Sequence, residues 1–194
     1  MLGDPGILYR KIIYQGLRMN GVIPLETTDR EDRKIAYNRS VELLNKGGNL
    51  LIYPEGAWNV SPNVFVMKLF TGTVRIAGET GAEIIPIAIE QYGDTFYFNI
   101  GKNYTVPENY LDIAQDLTDE LREKLATLKW EIMLTQPELK REEIPTLECF
   151  QNKIVERCNY GYGFSLQDAL NESFHDKNIV TAVSYTHLRA HETR

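Results

Sequence analysis

Apolar positions recur along this chain at spacings that predict a succession of helices and strands. In residues 6–20, Ile7, Leu8, Ile12, Ile13 and Leu17 fall at helical intervals, and Gly21-Val22-Ile23-Pro24-Leu25 reads as a short strand whose proline suits an edge or a strand end. Thr28 followed three residues later by Glu31 is a capping box. It predicts a helix from about Asp29 to Lys46, with Ala36, Tyr37, Val41, Leu43 and Leu44 as its buried stripe and Gly47-Gly48 as a left-handed stop. Residues 49–53, with Leu50-Leu51-Ile52 at their centre, are too short for a helix and read as a buried strand. Phe70, Val74 and Ala77 mark a third helix that ends at Gly81. Residues 83–92 carry the run Ile84-Ile85-Pro86-Ile87-Ala88-Ile89, apolar on both faces, as an interior strand is. Gly93-Asp94 then makes a tight connection to the alternating, aromatic-rich residues 95–104, so these two strands form a hairpin. Leu117, Leu121, Leu125, Leu128 and Ile132 keep one face of a long packing helix apolar. Beyond Pro137 the pattern fades, and residues 138–182 read as helix and loop. The fold class is α/β: a central, mostly parallel or mixed sheet flanked by helices, with one antiparallel hairpin.

The chemistry concentrates at Tyr53-Pro54-Glu55-Gly56, directly behind the apolar run. Proline cannot donate to a sheet ladder and glycine admits backbone angles that other residues resist, so a strand stops here and presents Glu55 at its carboxyl end. That end is where open α/β sheets bind ligands. Two readings of Glu55 stand side by side: a carboxylate that contacts a ligand, or a cap on the backbone amides of the next segment. Trp58 has a similar pair, shaping a pocket or packing at a sheet end.

Composition narrows the function classes. At 194 residues and 43% apolar content the chain holds one domain's worth of core, and a net charge of −6 without clustered Lys and Arg argues against a nucleic-acid partner. Cys149 and Cys158 have neither disulfide-framework nor zinc spacing, which suits reduced bystander thiols in a cytoplasmic protein. No apolar run approaches the ~20 residues of a spanning helix, so a place peripheral to the inner face of a membrane is the nearest approach to lipid expected. The first predicted helix, with Arg10, Lys11 and Arg18, either lies on an anionic membrane surface or packs on the sheet. There is no nucleophile elbow and no Walker loop, and the glycines of Gly161-Tyr162-Gly163-Phe164-Ser165 read as a turn.

The tail stands apart. Residues 183–193, VSYTHLRAHET, resemble the translation of a transposon-based sequencing adaptor, which sets residues 183–194 aside as an artefactual tail. With them go His187 and His191, two of the three histidines. The expectation is that the reading frame ran off the end of a DNA fragment.

Taken in order, the segments resemble the glycerophospholipid acyltransferase superfamily, of the 1-acylglycerol-3-phosphate type, over residues 1–135. Tyr53-Pro54-Glu55-Gly56 resembles its third motif, with Tyr in place of the usual Phe, and Ile84-Ile85-Pro86-Ile87 its fourth. Lys68, Phe70 and Gly72 resemble the lysine, phenylalanine and glycine of the stretch between them. Residues 21–25 resemble the second motif, but Thr27 stands where an arginine normally binds the acceptor phosphate, and a hydroxyl does not replace that charge. Arg30 and Arg33 either supply it from the next helix, helped by that helix's N-terminal amides, or are a solvated first turn. Ala57-Trp58-Asn59 replaces the motif's usual Thr-Arg-Ser continuation.

The first motif, a histidine followed five residues later by an aspartate, is absent; His175 has Val180 at that distance. In the family the histidine is the general base on the acceptor hydroxyl and the aspartate orients it. The resemblance therefore implies an N-terminally truncated acyltransferase with its catalytic pair encoded upstream and no activity of its own. Its acceptor site would be Tyr53, Pro54, Glu55, Gly56, Arg30, Arg33 and Lys68. A fatty acyl group would pass from acyl-CoA or acyl-carrier protein to a lysophospholipid or glycerol-phosphate hydroxyl, with no cofactor and no metal. The implied layout is a partial acyltransferase domain at 1–135, a C-terminal helical and loop extension at 136–182, and the tail. The alternative is a non-catalytic α/β module that binds lipid or protein, the turn being only a structural corner.

Overall fold

A computed structural model describes residues 21–158, apart from residues 24, 26–28, 57, 58, 60, 62, 138 and 139. The helix expected at residues 6–20, and the readings that rest on Pro24, Thr27, Thr28, Ala57, Trp58, His175 and the tail, lie outside those residues. The chain divides into two compact units. One comprises Met1–Gly56, Leu69–Ile84 and Asn103–Glu120, the other Ala57–Lys68, Ile85–Lys102 and Leu121–Arg194.

In the first unit, helix α1 (Arg30–Asn45) starts at Asp29, whose side chain accepts from the amides of Glu31 and Asp32. Asp29, not Thr28, is thus the N-cap. Both are good caps, and the residue whose extended backbone leads into the helix takes the role. At the other end Gly47 turns left-handed (φ 78°), its amide donating to the Leu44 carbonyl and that of Gly48 to Leu43, the paired bonds of a Schellman stop. Ala36 and Ser40 are the buried residues of α1, while Tyr37, Val41, Leu43 and Leu44 are half-buried. Helix α1 packs on α2 (Gly72–Thr80), which buries Val74, Ile76 and Ala77 and ends at left-handed Gly81. The Tyr37 hydroxyl donates to the Glu79 carboxylate, tying the two together. Gly78 lets α2 approach Tyr110: a Cβ there would stand 2.4 Å from the ring. Ile84 and Tyr104 exchange backbone hydrogen bonds as an isolated antiparallel bridge (2.8 and 3.1 Å).

In the second unit, strands β1 (Ile87–Tyr92) and β2 (Thr95–Ile100) form an antiparallel hairpin across the two-residue loop Gly93-Asp94. Gly93 alone of the pair has positive φ (66°), the glycine-first pattern of a type II′ connection. Helix α3 (Ala114–Met133) begins in the first unit, and its residues from Leu121 on belong to the second. These cover one hairpin face. Lys129 pairs with buried Glu90 at 2.9 Å, and the Asn99 amide donates to the Leu128 carbonyl and the Glu131 carboxylate. The Arg122 Nε donates to the carbonyls of Val66 (2.8 Å) and Met67 (3.2 Å), and Phe65 meets Trp130 edge to face. A 3₁₀ turn (Arg141–Glu143) and helix α4 (Leu147–Cys158) follow, α4 packing against β1.

Three expectations need correction. Residues 49–53 are not a buried strand: they are irregular, with Leu51 55% and Tyr53 45% exposed. A strand needs a neighbour for its amides and carbonyls, and the described residues hold no sheet besides β1–β2. For the same reason Gly21, Val22, Ile23 and Leu25 are turn and irregular chain, and no parallel pairing of the expected central sheet occurs among the described residues. The Ile84–Ile89 run is not interior either. Pro86, Ala88 and Glu90 are buried, but Ile85, Ile87 and Ile89 face outward. The long helix from Leu117 to Ile132 and the hairpin are as expected, and the described architecture is mixed α and β.

Candidate functional site

Covalent geometry builds the turn at Tyr53–Gly56. Proline fixes φ at Pro54, the second position of a β-turn, and the Gly56 amide closes it by donating to the Tyr53 carbonyl at 3.2 Å. Gly56 itself sits at φ 63°. The Phe70 amide reaches the Pro54 carbonyl at 3.5 Å, and the Phe70 ring lies where a Gly56 side chain would meet it at 3.5 Å, ordinary contact distance. Gly56 is therefore required for its backbone angle and not for space. Replacing it with Ala is expected to cost about 1 kcal/mol in urea unfolding, the left-handed penalty for an L-residue, and Gly56→Asn clearly less.

Glu55, at the third position of the turn, is half-buried, whereas Tyr53 is largely open. Phe70 precedes α2 instead of opening it and is 67% exposed, against the expectation that it lies on the buried stripe of that helix. Gly72, third of the motif-like residues, is the first residue of α2. The pairing of Phe70 with the turn escaped sequence reasoning; a left-handed glycine near an isolated aromatic is the signal that points to it.

Arg30 and Arg33 lie one helical turn apart at the start of α1, both exposed. The helix amides do not assist them. Glu31 and Asp32 donate to the Asp29 carboxylate at 2.8 and 3.4 Å, so the protein's own anion occupies the nest, and Glu31 and Asp32 add negative charge to the same turn. Lys68 is exposed and belongs to the second unit.

The perturbed titrating groups are elsewhere in the structure's chemistry. Burial first, then the hydrogen bond to Glu79 and its charge, raise the Tyr37 phenol well above its usual range. Burial, with the Glu120 charge adding to it, pushes Tyr104 up to about 12. No residue of the turn contributes to either shift. All three histidines lie outside the described residues, among which no cluster of His, Cys, Asp and Glu is arranged to hold a metal ion. Among the same residues no helix is long and apolar enough to cross a membrane.

Residues 1–90, a stretch that contains the turn, Lys68, Phe70, Gly72 and Ile84–Ile87, match the acyltransferase family model. That match, over 90 of the 194 residues, makes the chain similar to the acyltransferase family. Similarity to curated proteins points the same way. A chloroplastic 1-acyl-sn-glycerol-3-phosphate acyltransferase of Arabidopsis thaliana is 31% identical over 88 residues, 45% of this chain and 24% of that protein. Its counterpart in Brassica napus, also chloroplastic, is 30% identical over 88 residues, 45% of this chain and 25% of its own length. The chain thus spans about a quarter of the length of the curated acyltransferases it matches. No solved structure matches it significantly.

Proposed function

We propose that this chain is part of a glycerophospholipid O-acyltransferase that moves a fatty acyl group from acyl-CoA or acyl-carrier protein to the hydroxyl of a lysophospholipid or glycerol phosphate. The family match over residues 1–90, which enclose the Tyr53–Gly56 turn, carries this reading. The relatives' names supply the acceptor class, a 1-acylglycerol 3-phosphate. In the complete enzyme the acceptor hydroxyl attacks the thioester carbonyl, a base removes its proton, and the thiolate of the donor leaves. Tyr53, Pro54, Glu55 and Gly56 line the acceptor site. Arg30 and Arg33 meet the acceptor phosphate through their guanidinium groups alone, since the helix amides beside them are taken. The full domain carries the central, mostly parallel sheet of a glycerolipid acyltransferase and works from the inner membrane face.

No histidine of this chain is followed five residues later by an aspartate, so the chain itself supplies no base of that kind. The purified 194-residue chain, supplied with acyl-CoA or acyl-carrier-protein donors and lysophosphatidic acid or glycerol 3-phosphate, is expected to release thiol no faster than a protein-free control. Turnover above that control removes the missing-base reading. The tie between Phe70 and Pro54 favours one alternative, a non-catalytic lipid- or protein-binding module in which the turn is a structural corner. The upstream coding sequence separates them. A His and an Asp five apart support the enzyme, and a complete gene without them supports the module.

A further inference from the structure

The cross-strand register of the hairpin places Ile87 opposite Ile100, Ile89 opposite Phe98, and Gln91 opposite Phe96. Residues directly opposite share a face, so Ile85, Ile87, Ile89, Phe96, Phe98 and Ile100 all project from the side of the sheet that α3 does not cover. Each of the six is between 36% and 65% exposed. Side chains of this size at such exposure present on the order of 600 Å² of contiguous apolar surface, at the upper end of what monomers leave open. Burying two such faces against each other removes about 1,200 Å², the lower end of the range for specific, stable interfaces.

Charge selects the occupant. The exposed charges of the segment are one acid, Asp94 at the loop, and one base, Lys102 at the open end. Phe98 lies midway between them in the sequence. A two-fold axis crossing the strands at Phe98 lays the loop of each hairpin over the open end of the other, so that Asp94 of each copy meets Lys102 of its mate and the two Phe98 rings meet at the centre. A lipid surface is a poorer fit, because interfacial faces are rimmed by several Lys and Arg and this one has a single cation in a chain of net charge −6. We propose that two copies of this chain pair face to face through the side of the β1–β2 hairpin opposite α3, about an axis at Phe98.

Sedimentation velocity on the 194-residue chain from about 1 to 200 μM is expected to show a monomer–dimer equilibrium with a micromolar Kd. Phe98→Glu places two carboxylates on the axis and is expected to raise Kd more than about tenfold with unchanged far-ultraviolet circular dichroism, since the residue is 61% exposed in the monomer. Asp94→Lys sets like charges together and is expected to weaken pairing about fivefold, with Asp94→Lys/Lys102→Asp restoring it. A chain that stays monomeric throughout overturns the proposal, as does a Phe98→Glu variant that pairs as well as the parent. So does flotation of the chain with vesicles of neutral or anionic phospholipid that Phe98→Glu abolishes, which assigns the face to a membrane instead.

Discussion

Glu90→Ala is expected to lower the unfolding free energy by about 3 kcal/mol, the loss typical of a buried ion pair stripped of one partner. Glu90 is 6% exposed on the covered face of β1, and its carboxylate lies 2.9 Å from the Lys129 ammonium of α3. Removing the carboxylate leaves that ammonium against the apolar underside of the hairpin with part of its solvation gone. Lys129 retains 22% of its side-chain exposure and a flexible stem, so it recovers some water by reaching outward, which keeps the loss at the lower end of the range. Replacing both partners, as Glu90→Met/Lys129→Leu, removes the charge problem at similar volume and is expected to return most of the stability. Urea unfolding followed by tryptophan fluorescence measures both. A single variant within about 0.5 kcal/mol of the parent means that the pair contributes nothing.

Gly78→Ala ranks second. On an isolated helix this change stabilises by about 1 kcal/mol, and here the sign reverses. The new Cβ would lie 2.4 Å from Cγ of Tyr110 and 2.6 Å from both Cδ atoms. Those atoms are the base of the ring, which cannot swing aside without moving the backbone that carries it. Overpacking of this kind costs about 1–3 kcal/mol after the gain in helix propensity is set against it. Gly78→Ala/Tyr110→Ala removes the overlap, so the double variant should be less destabilised than the two single losses added together by more than about 1 kcal/mol. Strict additivity would show that α2 shifts to accommodate the methyl group.

The features legible in the sequence are those decided within a few residues. Gly47 and Gly81 stop their helices because only glycine takes those left-handed angles cheaply, and Gly93-Asp94 dictates a two-residue hairpin loop whatever surrounds it. The turn at Tyr53–Gly56 was readable for the same reason: proline and glycine set its backbone before any tertiary contact forms. Features set by distant partners were not readable. A run such as Leu50-Leu51-Ile52 has strand character only if another strand lies beside it, and Ile84–Ile89 reads alike whether one face is covered or two. The helix that begins at Arg30 offered free amides to an anion on paper. The rotamer of Asp29 settled that the carboxylate next door fills them. Phe70 kept helical spacing with Val74 and Ala77 yet fell outside the helix, since periodicity marks a face without marking where the first turn closes.

The guanidinium of Arg122 grips the carbonyls of Val66 and Met67, 56 and 55 positions earlier in the chain. Those two residues fall inside the segment that matches the family model, and Arg122 falls well outside it. One N–H, that of Nε, is shared between the two oxygens, and a lysine has no donor at that point of its side chain. Mutagenesis confined to the first 90 positions would therefore overlook one of the anchors that keep that segment in shape, and transplanting the segment alone into another scaffold would take this donor away from both carbonyls.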